Sequence, residues 1–183
     1  MPEARNFKLT LAYDGRPFVG WQRQPNGTSV QELLERAIRQ ICGEHCDVHG
    51  SGRTDAGVHA AAQVASAKVP TRLGTAEFKR ALNANIPQEI RVLDIEAVSD
   101  DFHARFSAVE KTYRYLLTSG AVRSPFTPFY AHWIGYMLDL DAMGRAAEVL
   151  VGKHDFASFM ASGSDVKSTV RTVSELKIKK EGH

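Results

Sequence analysis

The residues from Gly50 to Ala60, GSGRTDAGVHA, set one guanidinium and one carboxylate two positions apart inside a glycine-rich turn. Glycines at 50, 52 and 57 let the backbone bend tightly around Arg53, Thr54 and Asp55. A carboxylate acts as a nucleophile when a nearby cation keeps it ionised and a fixed turn aims it. Arg53 can supply that cation, or can grip a phosphate through its fork of donors. The same residues also describe a structural turn, with Asp55 capping its own loop and Arg53 paired to it at the surface. Spacing alone leaves both open. No Gly-Lys-Ser/Thr follows, so the turn is not a nucleotide-binding P-loop. A hydrolytic use of Asp55 needs a second acid or a histidine, and His59, four residues on, is the one nearby candidate.

Two further stretches carry chemistry. FHARFSAVEKTYRYLL interleaves His103, Arg105, Lys111 and Arg114 with Phe102, Phe106, Tyr113 and Tyr115. That mixture suits RNA, because aromatics stack bases and cations meet phosphates. It equally suits a strand whose aromatics are core and whose charges face water. Arg171, in TVRTV, is a charge flanked by apolar residues and invites a partner. CGEHCDVH gathers Cys42, His45, Cys46 and His49, all competent zinc ligands. Structural zinc sites usually divide their ligands between two separated pairs, so the expectation is a helix end rather than a metal site.

These groups need elements to hold them. FKLTLAY alternates Phe7, Leu9, Leu11 and Tyr13 with Lys8, Thr10 and Ala12, predicting a half-buried strand closed by Asp14-Gly15. Ser29 with Glu32 reads as a capping box, and Val30, Leu33, Leu34, Ala37, Ile38 and Ile41 form the stripe of a helix behind it. VHAAAQVASAKV fits a strand, with helix as the alternative, and TAEFKRALNANI a short helix before Pro87. IRVLDIEAV and KTYRYLLT predict strands, the second with Tyr113, Tyr115 and Leu117 on one face. DLDAMGRAAEVLVG predicts a helix with Leu140, Met143, Ala147, Leu150 and Val151 as its stripe and Gly152 as its stop. KHDFASFMASGSDVKS reads as a mobile polar loop and TVRTVSELKIKK as a last strand. The two blocks, 7–98 and 102–180, hint at a duplication.

Composition sets the outer bounds. The 183 residues suffice for one domain or two small ones, and a net charge of +2 confines any nucleic-acid surface to a local patch. The N-terminal residues lack the apolar core of a signal peptide, and no apolar run reaches the ~20 residues of a membrane span. Two cysteines, four residues apart, fit a reducing cytoplasm.

The chain resembles the TruA family of tRNA pseudouridine synthases. YDGRPFVGWQRQPNGTSVQELLERAI, GSGRTDAGVHA, ALNANIPQEIRV, FHARFSAVEKTYRYLL and GKHDFASF, followed by Arg171, match family blocks in family order across residues 8 to about 180. In that family the aspartate of GRTDAG is the catalytic nucleophile, a role the resemblance implies for Asp55. It implies that Tyr113 stacks on the flipped uracil and that Arg53 occupies the vacated base position or grips a phosphate. Arg171 would pair with the catalytic aspartate, and Arg105 would join them in substrate binding. The implied reaction isomerises uridine to pseudouridine at tRNA positions 38–40, in the anticodon stem-loop, with no metal and no cofactor. The implied fold is α+β: a mixed, largely antiparallel sheet of two ferredoxin-like (RRM-like) halves, 1–98 with the catalytic loop 50–60, and 99–183. The implied setting is a cytoplasmic homodimer that binds tRNA and no membrane. Family chains continue past the position of His183 with further strand and helix, so the resemblance marks the second half as incomplete.

Overall fold

The apolar alternation from Phe7 to Tyr13 forms the centre of β1, Ala4–Tyr13, in a computed structural model that describes residues 2–160, 166 and 168–181. Phe7, Leu9, Leu11 and Tyr13 are all buried, while Lys8, Thr10 and Ala12 between them are half-buried. Burial on one face and partial cover on the other is what period-two patterning dictates. α1, Val30–Cys42, begins where the cap predicts: Ser29 Oγ accepts from the Glu32 amide at 3.2 Å. It ends at Gly43, whose N–H returns to the Arg39 carbonyl at 2.8 Å.

β2, His49–Gly50, leads into the turn of interest and pairs with β3, Ala60–Pro70. The alanines that left β3 open between strand and helix resolve as strand: Ala65, Ala67 and Val69 alternate into the core. α2, Thr75–Asn85, buries Phe78 and Leu82, and β4, Ile90–Ala97, returns beside β1. The sheet order is β2-β3-β1-β4, every pairing antiparallel, with Leu9 opposite Ala65 on one side and Ile95 on the other. The two helices and the sheet share one core, in which the Phe7 and Phe78 rings lie 5.3 Å apart. Burying each such side chain stabilises by about 1.5–3 kcal/mol.

The chain divides into two compact units, Met1–Thr112 and Tyr113–His183, and the core just described lies wholly in the first. In the second, β5, Leu117–Ser119, pairs in parallel with β6, His132–Ile134. α3, Leu140–Glu148, is capped by Asp139, whose Oδ1 accepts from the Ala142 amide at 2.9 Å. β7, Gly152–Asp155, pairs antiparallel with β8, Val170–Val173. The whole is a mixed α+β chain with mainly antiparallel sheet.

The second unit departs from several sequence expectations. KTYRYLLT enters a strand only at Leu117, and Tyr113 and Tyr115 are 75% and 85% exposed. A strand is stable only with a ladder partner and a face to bury, and residues 111–116 join no ladder among the described residues. TVRTVSELKIKK is strand only across Val170–Val173, for the same reason. The helix stops at Glu148 rather than at Gly152, which instead opens β7 at a φ of 112°. The stretch read as a polar loop holds β7 and a 3₁₀ turn, Ala157–Phe159, while its residues 161–165 and 167 lie outside the described residues.

Candidate active site

The turn after β2 is fixed from three sides. On the β3 side, the Ser51 amide donates to the Val64 carbonyl at 2.8 Å, and Gln63 Nε2 donates to the Gly52 carbonyl at 2.7 Å. Ser51 Oγ closes that corner by donating to Gln63 Oε1 at 2.8 Å. From β1, the Tyr13 hydroxyl meets Thr54 Oγ1 at 2.9 Å. From the segment between β1 and α1, the Trp21 amide donates to the Thr54 carbonyl at 3.0 Å, and the Phe18 carbonyl accepts from Gly57 at 3.3 Å. Trp21 is itself held by α1, because its carbonyl accepts from the Gln31 amide at 3.0 Å. The Gln31 side chain adds three bonds, accepting from the Arg23 amide at 3.1 Å and donating to buried Glu35 at 2.9 Å and to the Val48 carbonyl at 3.1 Å.

Two glycines make this closeness possible. A Cβ on Gly20, whose φ is +114°, would lie 2.5 Å from the Thr54 carbonyl oxygen. A Cβ on Gly15 would lie 2.5 Å from the Val58 carbonyl carbon and closer still to its oxygen. Neither contact admits a side chain, so the backbones of two sequence-distant segments touch directly.

The groups facing water on this frame are the ones with chemistry. Asp55 and Arg53 are both exposed, and no ion pair joins them among the described residues. The Lys111 ammonium lies beside Gly52. His59 points back into the frame: its Nδ1 is 3.2 Å from the Gly15 amide and 3.2 Å from Asp14 Oδ1. Asp14 is also gripped by Arg16, whose Nε donates to both carboxylate oxygens at 2.9 Å. His59 therefore braces the turn rather than serving Asp55 as a hydrolytic partner. Arg105 is exposed in the first unit with its guanidinium carbon 5.9 Å from the Phe106 ring centre. Tyr113 and Arg171 belong to the second unit, both exposed, and Arg171 Nη1 donates to the carbonyls of Ser168 and Val170 at 2.8 and 2.7 Å.

Among the described residues no three His, Cys, Asp or Glu side chains converge to hold a metal ion. Cys46 is buried and both thiols are raised above their usual 9.0, chiefly by burial. Cys46 packs with the core while His45 turns outward to Asp47 at 3.1 Å.

Sequence reading missed the supporting residues Tyr13, Gly15, Gly20, Trp21 and Gln63. The signal was present in YDGRPFVGWQ, where a tyrosine, two glycines and a tryptophan fall in a stretch with no helical or strand period. The phenol of Tyr13 is raised above its usual 10.0, by burial first, while hydrogen bonds with Thr54 and Gln63 pull the other way. It is therefore neutral at working pH. Because the folded value exceeds the unfolded one, this contribution is complete below pH 10.0 and fades as pH climbs through the folded value. Tyr13→Phe is expected to cost about 1 kcal/mol at neutral pH. Urea titrations at pH 7 and at high pH should show the wild-type excess shrinking on the alkaline side; an excess growing with pH would refute the assignment.

The family model described as tRNA pseudouridine synthase matches residues 10–107 and 146–183. A protein of Syntrophotalea carbinolica called tRNA pseudouridine synthase A is 48% identical over 166 residues, covering 91% of this chain and 66% of the relative. Its namesake in Rhodospirillum rubrum is 45% identical over 177 residues, covering 96% and 64% respectively. That of Limosilactobacillus reuteri is 46% identical over 178 residues, covering 96% and 70%. The chain thus spans about two thirds of the length of the curated relatives it matches.

Proposed function

The chain belongs to the tRNA pseudouridine synthase family, and from that footing we propose that it isomerises uridine to pseudouridine in tRNA with Asp55 as nucleophile. The observation that carries the reading is the frame around the turn. Thr54, Gly57 and Val58 are all tied by their backbones, and the carboxylate between them is left facing solvent. A fixed, accessible carboxylate is what attack on a nucleotide requires, since orientation supplies a large part of the barrier lowering.

The chemistry balances without a cofactor. The carboxylate adds to the nucleotide at ribose C1′ or at uracil C6. The N1–C1′ bond breaks, the uracil turns, and C5 joins C1′. The bond to the Asp55 carboxylate breaks to free the enzyme, the proton on C5 leaves to solvent, and N1 takes one up. The uridine first leaves its stack, at a cost of a few kcal/mol that contacts with the protein offset. Tyr113 stacks on the extruded base, Arg53 takes the base's vacated place or a phosphate, Arg105 holds substrate, and Arg171 keeps Asp55 ionised. The anticodon stem-loop, at tRNA positions 38–40, is the proposed substrate region.

The order β2-β3-β1-β4, with helices after the first and third strands, supports a ferredoxin-like first half, 1–98; a second such half, 99–183, completes the proposal. Exposed Val122, Phe126 and Phe129 in the second unit support a homodimer. Free cysteines support a cytoplasmic setting. No helix among the described residues is long and apolar enough to cross a membrane.

The test is tritium release from unmodified tRNA labelled at uridine C5. Release above background, with pseudouridine found in the product, supports the reading. Tight tRNA binding with no release would instead make this chain a non-catalytic RNA-binding module.

A further inference from the structure

Beside the catalytic turn, three rings from two distant parts of the first unit form a column. His49 and His103 stack at 4.8 Å with 27° between their planes, and the Phe106 ring lies 4.5 Å from that of His103, tilted by 35°. Phe106 ends it with 79% of its surface exposed, and the Arg105 guanidinium lies 5.9 Å from its ring. Leaving a phenylalanine this open forfeits the stabilisation that burial would give, so the packing of the core does not account for it.

The column is rigidly mounted. Ser66, only 3% exposed, ties the two segments that carry it: its backbone pairs with His49 across β2 and β3, and its hydroxyl accepts from the Ala104 amide, next to His103, at 3.1 Å. Ala104 is itself buried, and His103 Nδ1 accepts from the Arg105 amide at 3.1 Å. The residue after His49 is Gly50, where the catalytic turn begins, and Lys111 lies over Gly52 within that turn. A stacked aromatic column with one open face, flanked by cations, is how proteins hold unpaired bases without reading their sequence.

We propose that the open face of Phe106 is a stacking site for an unpaired nucleobase near the target uridine, with Arg105 and Lys111 meeting the adjoining phosphates. The site would take any base, since every base offers a π-face, and would keep the strand next to the target splayed while Asp55 reacts. This rests on the RNA-modifying function proposed above. Its test uses binding rather than turnover, so the two readings fail separately.

The probe is fluorescein-labelled oligouridylate, followed by anisotropy at low and moderate salt. Phe106→Leu is expected to weaken binding roughly ten-fold or more, and Phe106→Trp to restore it. Arg105→Ala should also weaken binding and flatten its salt dependence. All three should melt within a degree or two of the parent, because Phe106 and Arg105 are exposed. Parental affinity in Phe106→Leu would overturn the proposal, as would a lowered melting temperature with unchanged affinity, which would make the column a loop staple. If the parent releases tritium from tRNA while Phe106→Leu binds normally, the enzyme stands and the stacking site falls. If the parent binds no RNA at all, both fall.

Discussion

Asp55→Asn is expected to reduce tritium release by on the order of 10⁴-fold or more, while tRNA affinity stays within a few-fold of the parent. The size of the effect follows from the role. A nucleophile that loses its charge cannot form the covalent intermediate, and the remaining binding groups recover only a small part of the rate. The retained binding follows from the structure. The turn is held by the Thr54 side chain and carbonyl, the Gly57 amide and the Gly52 carbonyl, none of which the substitution touches. Asparagine has the same outline, and its side chain would stand in water as the carboxylate does now. Filter binding and tritium release on one preparation separate the outcomes. Loss of both together would make Asp55 a structural residue and return the turn to its plainer reading.

That plainer reading was open in the sequence for a physical reason. The chemistry of Arg53 and Asp55 is local, so residue types and spacing display it. What aims a turn is not local. Tyr13 reaches Thr54 across 41 positions, and Gly20 sits on the same carbonyl without any side chain to announce it. The elements that carry these contacts were legible where pattern and burial agree. β1 and α1 repeat their apolar positions at the period of their own geometry, and Ser29 caps the helix as its type predicts. β3 was ambiguous because Ala65 and Ala67 suit either state, and its two neighbours in the sheet decided it. The aromatic alternation from Tyr113 to Leu117 was misleading in the opposite way, since pattern describes a face and only a partner makes it a strand. The stack of His49 on His103 spans 54 positions, beyond any periodicity.

Gly15→Ala is expected to damage the protein more than any other single-methyl change in the frame. The added carbon would stand 2.5 Å from the Val58 carbonyl carbon and 2.8 Å from that of Gly57. Both atoms are backbone, so no side chain can swing aside. Either the segment after β1 and the turn separate, or the Gly15 backbone rotates and loses its amide bond to His59. Overpacking of this kind costs about 1–3 kcal/mol. The catalytic penalty is larger, because a displacement of roughly 1 Å at a reacting group costs about 10²-fold in rate. Gly144→Ala supplies the control: the site lies inside α3, and its Cβ would meet nothing within 4 Å. There the same methyl should stabilise by about 0.5–1 kcal/mol, since alanine loses less entropy than glycine on entering a helix. Chemical denaturation of both variants, beside their tritium release, reads the contrast directly. A Gly15→Ala protein with parental stability and turnover would show that the turn is not aimed by the backbone that follows β1. Asp55 would then owe its orientation to the remaining ties of the turn, those with Tyr13, Phe18, Trp21, Gln63 and Val64.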